Sequence, residues 1–262
     1  MKIKALAAVF SALFALRAFA GDVVLQALQD ELKRSMDKLK MENFDKPFFI
    51  SYTAETLQSL NISASFGSIV KSENEKSCRA AVDLRVGDYA FDNSNFGGDN
   101  FMTVRLPVDH DYDAVRYELW LITDRQYKMS LSELAKKHAE ERTRVVKERP
   151  DDFSREQTAV SATEDAAPVL SSPLTQDEVG NISAVFRNYP AINNSDVSLN
   201  VNTYIKYFIN SEGAVIRKPR LNANLYVEAS TQADDGMRLN DFRNFLAYDG
   251  AGFQRGRKST RP

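Results

Sequence analysis

The sequence has few of the residues that form disulfide bonds, zinc sites or low-complexity chains. Its 262 residues include one cysteine, Cys78, and two histidines, His110 and His138, with 11 glycines and 8 prolines. A single thiol forms no internal disulfide bond and excludes a zinc site built from CxxC pairs. The glycine and proline contents exclude collagen-like chains, and no apolar run reaches the ~18 residues that a membrane span requires. The remaining composition, 43% hydrophobic and 27% charged, is typical of a folded chain of one or two domains.

The first twenty residues have the pattern of a secretory signal peptide. Two lysines form a basic start, the stretch 5–16 is almost wholly apolar, and Ala18-Phe19-Ala20 supplies small residues at a cleavage site. The alternative is a buried N-terminal helix, although Arg17 interrupts the apolar stretch. We therefore predict that residues 1–20 are removed on export to the periplasm or the extracellular space. This removal takes away three basic and no acidic side chains, which lowers the net charge from −2 to −5.

Residues 21–149 are predicted to form a first α+β block. Apolar residues recur every three or four positions over 22–42, which predicts an amphipathic helix. Alternation of apolar and polar residues then predicts strands within 48–66 and at 78–86. The stretch 91–107 is rich in Asn, Asp and Gly and is predicted to be a long loop.

The longest predicted helix covers residues 111–148. Its buried stripe includes Leu119 and Tyr127, and Trp120 is expected to widen that stripe. The polar run 136–142 contains charge pairs four residues apart and is predicted to be a solvated face.

A linker and a second α+β block are predicted to follow. Residues 150–174 collect Ser, Thr, Ala, acids and prolines without periodicity, as a surface linker does. In the second block, 175–249, Thr175 and Glu178 form a capping box for a short helix, and alternation predicts antiparallel strands. Residues 250–262 are a basic tail with no acid. The order of elements predicts an α+β fold, in which antiparallel sheet packs against amphipathic helices.

The residues able to bind a metal or act as a nucleophile are few and scattered. Asp109, His110, Asp111 and Asp113 could hold a metal, but acids just before a helix are also expected from capping and the helix dipole. His138 has no second histidine at zinc-binding helical spacing. Cys78 falls on the apolar face of a predicted strand, where a packed thiol is expected.

A phosphate loop and a serine hydrolase are not supported by the sequence. The pair Gly97-Gly98 lacks the GxxxxGK[ST] pattern and a strand-to-helix junction. No G-x-S-x-G motif is present, and paired carboxylates cannot be assigned from the sequence. We therefore assign no catalytic, cofactor-binding or metal-binding residue.

Five segments, in order, resemble a known family. They are LWLITDRQYK (119–128), PDDFSRE (150–156), AVFRNYP (184–190), YFINSEG (207–213) and ASTQADDGM (229–237). Together they resemble the exported branch of the TldD/PmbA metallopeptidase family, over nearly all of residues 22–249. The resemblance covers only the N-terminal, non-catalytic domain of that family. Its zinc is held in a C-terminal domain by a His-Glu-x-x-x-His helix and a later cysteine, and this sequence has no counterpart of either.

The resemblance implies a non-catalytic role in proteolysis. It implies a chain that is inactive alone, that covers the peptide cleft of a catalytic half which is missing or separately encoded, and that helps to assemble the two halves. Zinc is then expected only in that absent half. An extended peptide could pair with strand edges in 48–66 or 204–216. The alternative is a stand-alone exported binding or regulatory module.

The apolar residues of the stretch 204–209 are the physical basis of the partner hypothesis. Alternation fails there, and both faces are apolar except at Lys206, so the strand is expected to need cover on both sides. A catalytic half would provide that cover, or else the helices predicted at 22–42 and 111–148 would provide it internally.

Overall fold

The computed structural model describes residues 22–96, 101–143, 150–162, 172–248 and 253–255. The helices in these ranges are α1 (Val23–Lys38), α2 (Tyr112–Glu141) and α3 (Gln176–Ala184), which continues into a 3₁₀ helix (Val185–Asn188). The strands are β1 (Phe49–Ser65), β2 (Ser68–Arg85), β3 (Phe101–Leu106), β4 (Val160–Ala162), β5 (Asn194–Asn210), β6 (Val215–Gln232), β7 (Arg238–Tyr248) and β8 (Gln254–Arg255). None of the helices in the described ranges is long and apolar enough to cross a bilayer.

The strands form one sheet in the order β3-β2-β1-β5-β6-β7-β8. The pairs β2–β3, β6–β7 and β7–β8 are antiparallel, with Cys78 opposite Leu106 in the first and Leu225 opposite Phe245 in the second. The short strand β4 pairs with β6 in the parallel direction. The predicted α+β fold, an antiparallel sheet packed with amphipathic helices, is confirmed.

Several predicted loops contain strands. The prediction of a long loop over 91–107 was wrong for its second part, which is β3. Met102, Val104 and Leu106 alternate with more exposed residues along this strand, so the period of two was present but was outweighed by the polar residues before it. The predicted linker 150–174 contains β4, and β7 follows a turn after which no strand was predicted.

The chain divides into two compact units. The first takes in Met1–Thr56, Ser77–Glu164 and Lys206–Lys218, as far as those stretches are described. The second takes in Leu57–Lys76, Asp165–Ile205 and Pro219–Pro262, with the same restriction. The predicted blocks divide the chain in sequence order, whereas these units are assembled from interleaved segments.

The core of the first unit is formed by α1, α2 and the strand residues that belong to this unit. Asp22 caps α1 by accepting a hydrogen bond from the Leu25 N–H at 3.1 Å, and Asp111 caps α2 by accepting one from the Ala114 N–H at 2.9 Å. The largest hydrophobic side chains that are fully buried here are Leu25, Leu28, Ile50, Tyr52, Leu84, Leu119, Tyr127 and Ile209.

The core of the second unit lies beneath α3. Its buried residues are Ile62, Ala64, Val179, Val197, Leu199, Val201, Ala223, Leu225 and Ala247. The predicted capping box is present: Thr175 Oγ1 accepts from the Glu178 N–H at 3.2 Å, while Glu178 Oε2 accepts from the Thr175 N–H at 2.7 Å.

The turn between β1 and β2 is fastened to α3 and the 3₁₀ helix. Gly67 has a φ of +83°, and its N–H donates to Ser183 Oγ at 2.7 Å. Arg187 donates from Nε to the carbonyl oxygen of Phe66 at 2.5 Å. A Cβ at Gly67 would lie 2.6 Å from the Arg187 guanidinium. This turn therefore requires glycine for its backbone angle and for space.

Three sequence predictions lie wholly or mostly outside the described residues. The signal peptide 1–20 and the Gly97-Gly98 pair are among the residues not described. Of the basic tail 250–262, only 253–255 is described, and two of these residues form β8. The first described residue, Asp22, is the N-cap of α1, so α1 begins directly after the predicted cleavage point.

Candidate functional site

The structure assigns structural roles to several of the candidate site residues. Asp111 is the N-cap of α2, and Asp109 Oδ1 accepts a hydrogen bond from the Asp111 N–H at 3.4 Å. His110 lies in the turn before α2 with a positive φ of 56°. His138 packs against Phe91, with ring centroids 4.5 Å apart. Within the described ranges, no group of three or more His, Cys, Asp or Glu side chains is arranged to hold a metal ion.

Cys78 lies on β2 and is buried, as its place on the apolar face predicts. Burial raises the pKa of its thiol to about 11, because the charged thiolate is poorly solvated there. At neutral pH this cysteine is protonated, and it is therefore a poor nucleophile.

The strands proposed to bind an extended peptide are not at the edge of the sheet. β1 lies between β2 and β5, and β5 lies between β1 and β6. Both strands therefore have a neighbouring strand on each side, and the start of β6 at 215–216 pairs with β4, so the expectation of free strand edges at 48–66 and 204–216 was wrong. In the stretch 204–209, Tyr207 and Ile209 are buried within the chain, whereas Phe208 is half-buried.

A buried polar cluster centres on Lys137 of α2. Its Nζ donates to the carbonyl oxygens of Asp92 at 2.9 Å and Ser94 at 2.6 Å, and to Asp152 Oδ2 at 2.6 Å. Asp92 is fully buried and accepts from Arg85 Nη1 at 2.8 Å. The prediction that 136–142 is a solvated face was wrong at Lys137, because this lysine points into the loop that follows β2.

Aromatic rings cover the same cluster. Phe153 stacks on Tyr89 at 5.7 Å and packs edge-on to Phe49 at 4.8 Å, and the Arg85 guanidinium lies 4.1 Å from its ring centroid. Burial raises the pKa of Asp83 despite the adjacent Arg85. All three N–H groups of Lys137 Nζ have acceptors within the chain, and Asp152 Oδ2 accepts from both Lys137 and the Asp92 N–H. We therefore interpret the cluster as a brace that fixes residues 150–153 and the loop after β2, and not as a reaction centre.

The five family-like segments contain residues that make contacts within the fold. Asp152 and Phe153 of PDDFSRE belong to the brace, and Arg187 of AVFRNYP holds the β1–β2 turn. In YFINSEG, Asn210 Oδ1 accepts from the N–H groups of Glu212 and Ala214 in the β5–β6 turn. ASTQADDGM forms the β6–β7 turn, and LWLITDRQYK supplies buried residues of α2. The contacts of these segments therefore stabilise the fold.

The outer part of β7 offers backbone groups for pairing. On the side away from β6, the described residues provide only β8, which pairs with Phe245 and Leu246. Local side chains bond the backbone of Phe242: its N–H donates to Asp241 Oδ1 at 2.9 Å, and its carbonyl oxygen accepts from Arg243 Nη1 at 2.7 Å. Within the part of the chain that is described, residues 238–244 therefore form a strand edge that no other strand covers.

Exposed apolar side chains accompany this edge. Met237 is 58% exposed and Leu239 43% exposed, and Phe242 packs on Tyr226 with ring centroids 5.7 Å apart. Burial, together with a hydrogen bond to Glu228, raises the pKa of Tyr226 to about 12. The sequence gives no signal for this edge, because β7 has neither clear alternation nor an apolar run.

Comparison with known proteins gives only distant structural likenesses. No family model and no curated protein matches the sequence. Structural neighbours include TldE from Thermococcus kodakarensis, of the TldD/PmbA family, at 10% identity and a TM-score of 0.49, covering 83% of this chain and 42% of that one. A candidate modulator of DNA gyrase from Bacteroides thetaiotaomicron matches at 9% identity and a TM-score of 0.47, covering 84% and 44%. A second candidate gyrase modulator, from Thermotoga maritima, matches at 12% identity and 0.40, covering 76% and 38%.

The chain thus spans less than half the length of each of these neighbours. Likenesses at this level of identity and TM-score do not transfer a function. We therefore argue function from the contacts, burial and charges of this chain's own residues.

Proposed function

We propose that this chain is an exported, non-catalytic partner of a TldD/PmbA-like catalytic chain. In this role it covers the peptide cleft of the catalytic half and contributes to assembly, and zinc belongs to that half. The five segments that resemble the family's N-terminal domain support the proposal. So does α1, which begins directly after the predicted cleavage point of the signal peptide.

The observation that carries the proposal is the edge of β7. Among the described residues, β8 pairs with the outer side of β7 only at Phe245 and Leu246, and Met237 and Leu239 add exposed apolar surface beside residues 238–244. A strand from another chain can add to such an edge through main-chain hydrogen bonds, with side-chain contacts providing specificity. An uncovered edge of this kind is otherwise a risk for aggregation. We propose that a strand of the catalytic chain pairs with residues 238–244.

Asn240→Pro tests this pairing with little disturbance of the fold. Asn240 lies two residues before Phe242, whose backbone groups bond to local side chains and so face away from β6, and a strand has a period of two. The Asn240 N–H therefore also faces outward. Proline removes that N–H and is tolerated on an edge strand when the lost donor faces away from the neighbouring strand. Asn240→Ala is the matched control, since it keeps the N–H.

The experiment is co-expression with a TldD/PmbA-family catalytic chain, followed by affinity capture. Loss of one interstrand hydrogen bond, worth about 1 kcal/mol, predicts that Asn240→Pro weakens capture roughly fivefold or more. Asn240→Ala should stay within about twofold of the unsubstituted chain. Equal capture of the two variants, with unchanged thermal melting, would show that β7 is not the docking strand. No capture of the unsubstituted chain would refute the partner proposal itself.

Export is tested separately by the intact mass of secreted material. A mature chain that begins at Gly21 supports the proposed export, and one that begins at Met1 contradicts it.

The alternative function is a stand-alone exported binding or regulatory module. It is favoured by the way Asp241 and Arg243 bond the backbone of Phe242, because charged residues that occupy edge groups are one means of preventing pairing. The neighbouring DNA helps to separate the two. An adjacent reading frame that encodes His-Glu-x-x-x-His without a signal peptide favours the partner role.

A further inference from the structure

A cleft of about 250 Å³ opens between α1 and α2 in the first unit. It is lined by Glu31, Arg34, Asp113, Arg116, Tyr117 and Trp120. The lining thus contains two cations, two anions and two aromatic rings. This set of side chains is independent of the β7 edge and of the proposed partner function.

Glu31 fixes the side chains of Arg34 and Arg116 through hydrogen bonds. Its side chain is only 1% exposed, and it accepts hydrogen bonds from Arg34 Nε at 2.9 Å and Arg116 Nη2 at 3.2 Å. Ser35 Oγ donates to the same carboxylate at 3.1 Å. A buried carboxylate that bonds two guanidinium groups fixes their positions and leaves one net positive charge on the three side chains.

The arginines keep part of their donor capacity. Their side chains are 26% and 30% exposed, for Arg34 and Arg116 respectively. The Nε of Arg116 is buried and has no acceptor among the described residues. Because this N–H is buried, a ligand in the cleft would meet the exposed part of each guanidinium group instead. A carboxylate is the acceptor that matches a guanidinium best.

The cleft also has one exposed acid and two aromatic rings, all on α2 with Arg116. Asp113 lies in the first turn of α2, one turn before Arg116 and Tyr117. Tyr117 and Trp120 are 57% and 40% exposed, and their ring centroids lie 6.0 Å apart. The expectation that Trp120 widens the buried stripe of the helix was therefore wrong. These rings offer apolar faces that can also attract a cation.

We propose that this cleft binds a small zwitterion, namely a free α-amino acid or a dipeptide with apolar side chains. Arg34 and Arg116 take the carboxylate, Asp113 takes the ammonium group, and Tyr117 and Trp120 contact the apolar side chain. A simple anion would be repelled by Asp113, and a simple cation by the arginine pair. The volume of about 250 Å³ is compatible with a ligand of the size of a dipeptide.

The chain provides its own probe, because Trp120 is its single tryptophan. Titration of the folded chain with the dipeptide Leu-Leu, which does not fluoresce, should change the Trp120 emission along a saturable curve. N-acetyl-Leu-Leu lacks the ammonium group and Leu-Leu-amide lacks the carboxylate. Each blocked dipeptide should bind roughly tenfold more weakly than Leu-Leu, since each loses one charged contact.

Two variants assign the contacts. Asp113→Asn should weaken Leu-Leu roughly tenfold and strengthen N-acetyl-Leu-Leu if it changes it at all, because Asp113 repels that anion, whereas Arg116→Gln should weaken both but not Leu-Leu-amide. Asp124→Asn is the matched control, because Asp124 lies on the same helix and pairs with Lys128 outside the cleft. It should bind Leu-Leu as the unsubstituted chain does. Thermal melting confirms that each variant is folded.

Three results would overturn the proposal. They are no saturable change in emission up to roughly 10 mM Leu-Leu, an equal response to the three dipeptides, or equal binding by Asp113→Asn and Asp124→Asn. Arg, Tyr and Trp are also residues that dominate protein interfaces. If Trp120→Ala weakens capture of the catalytic chain and Leu-Leu has no effect, the cleft is a protein contact and the zwitterion proposal is wrong.

Discussion

The pair formed by Lys137 and Asp152 allows a sharp test of the brace. The Nζ–Oδ2 distance is 2.6 Å, and the two side chains are only 7% and 5% exposed. Asp152→Asn keeps the shape of the side chain but removes its charge. Lys137 then retains two backbone carbonyl acceptors and loses the carboxylate that pairs with it. Breaking a buried pair in this way costs about 3 kcal/mol, because the remaining charge stays buried without compensation.

The same α2 helix contains a control pair. Lys128 and Asp124 also lie 2.6 Å apart, but their side chains are 54% and 28% exposed. Lys128→Gln should lower the free energy of unfolding by no more than about 0.5 kcal/mol, since water solvates both charges. The two ion pairs thus have the same Nζ–Oδ2 distance and differ in burial.

Urea denaturation followed by far-UV circular dichroism measures both effects. At about 2–4 °C per kcal/mol for a chain of this size, Asp152→Asn should also lower Tm by about 6–12 °C. Combining Asp152→Asn with Lys137→Met should restore part of the loss, because no buried charge then remains unpaired. If Asp152→Asn and Lys128→Gln reduce stability equally, the cluster is not a brace and our interpretation fails.

Two further predictions concern single residues. Gly67→Ala should lower the free energy of unfolding by about 1–3 kcal/mol, because φ is +83° and the new Cβ meets Arg187. Gly180→Ala is the control inside α3, because the atoms nearest to its new Cβ lie 3.6 Å away. It should be neutral or stabilising in the same urea titration. Burial raises the pKa of Cys78 to about 11 from a usual value near 9, so at pH 8 a thiol reagent should react roughly 100-fold more slowly with the folded than with the unfolded chain. Because the Cys78 thiol ionises at a lower pH in the unfolded chain, the free energy of unfolding should fall as the pH rises from 9 towards 11. Cys78→Ala should lack this part of the pH dependence. If the pH profile of that variant is unchanged, the raised pKa of Cys78 is wrong.

The features that the sequence predicted well are those with a local cause. The capping box of Thr175 and Glu178 is a local hydrogen-bond pattern, and α3 begins where that pattern stands. Cys78 alternates with polar neighbours and is buried on the predicted face. These outcomes depend on residues that are close in the chain, and period and capping chemistry are sufficient to find them.

The features that the sequence did not predict depend on distant partners. Lys137 is indistinguishable in the sequence from its solvated neighbours, since its burial depends on Asp152 and on the loop after β2. Glu31 occupies the buried face of α1 together with Leu28 and Ser35, and such a charge on an apolar face was the available signal for the α1–α2 cleft. The edge of β7 could not be found without the strand order.

The partner function and the stand-alone function make different demands on β7. A stand-alone protein must keep the edge from pairing, and the bonds from Asp241 and Arg243 to the backbone of Phe242 do so at one residue. The exposed Met237 and Leu239 provide no such protection, because apolar side chains beside an open edge favour association. A strand that docks here has to displace the exposed side chain of Asp241 and the half-buried side chain of Arg243 from Phe242, and it gains a ladder of main-chain hydrogen bonds along residues 238–244. This balance favours docking, and it makes the Asn240 backbone N–H the group on which the partner proposal depends.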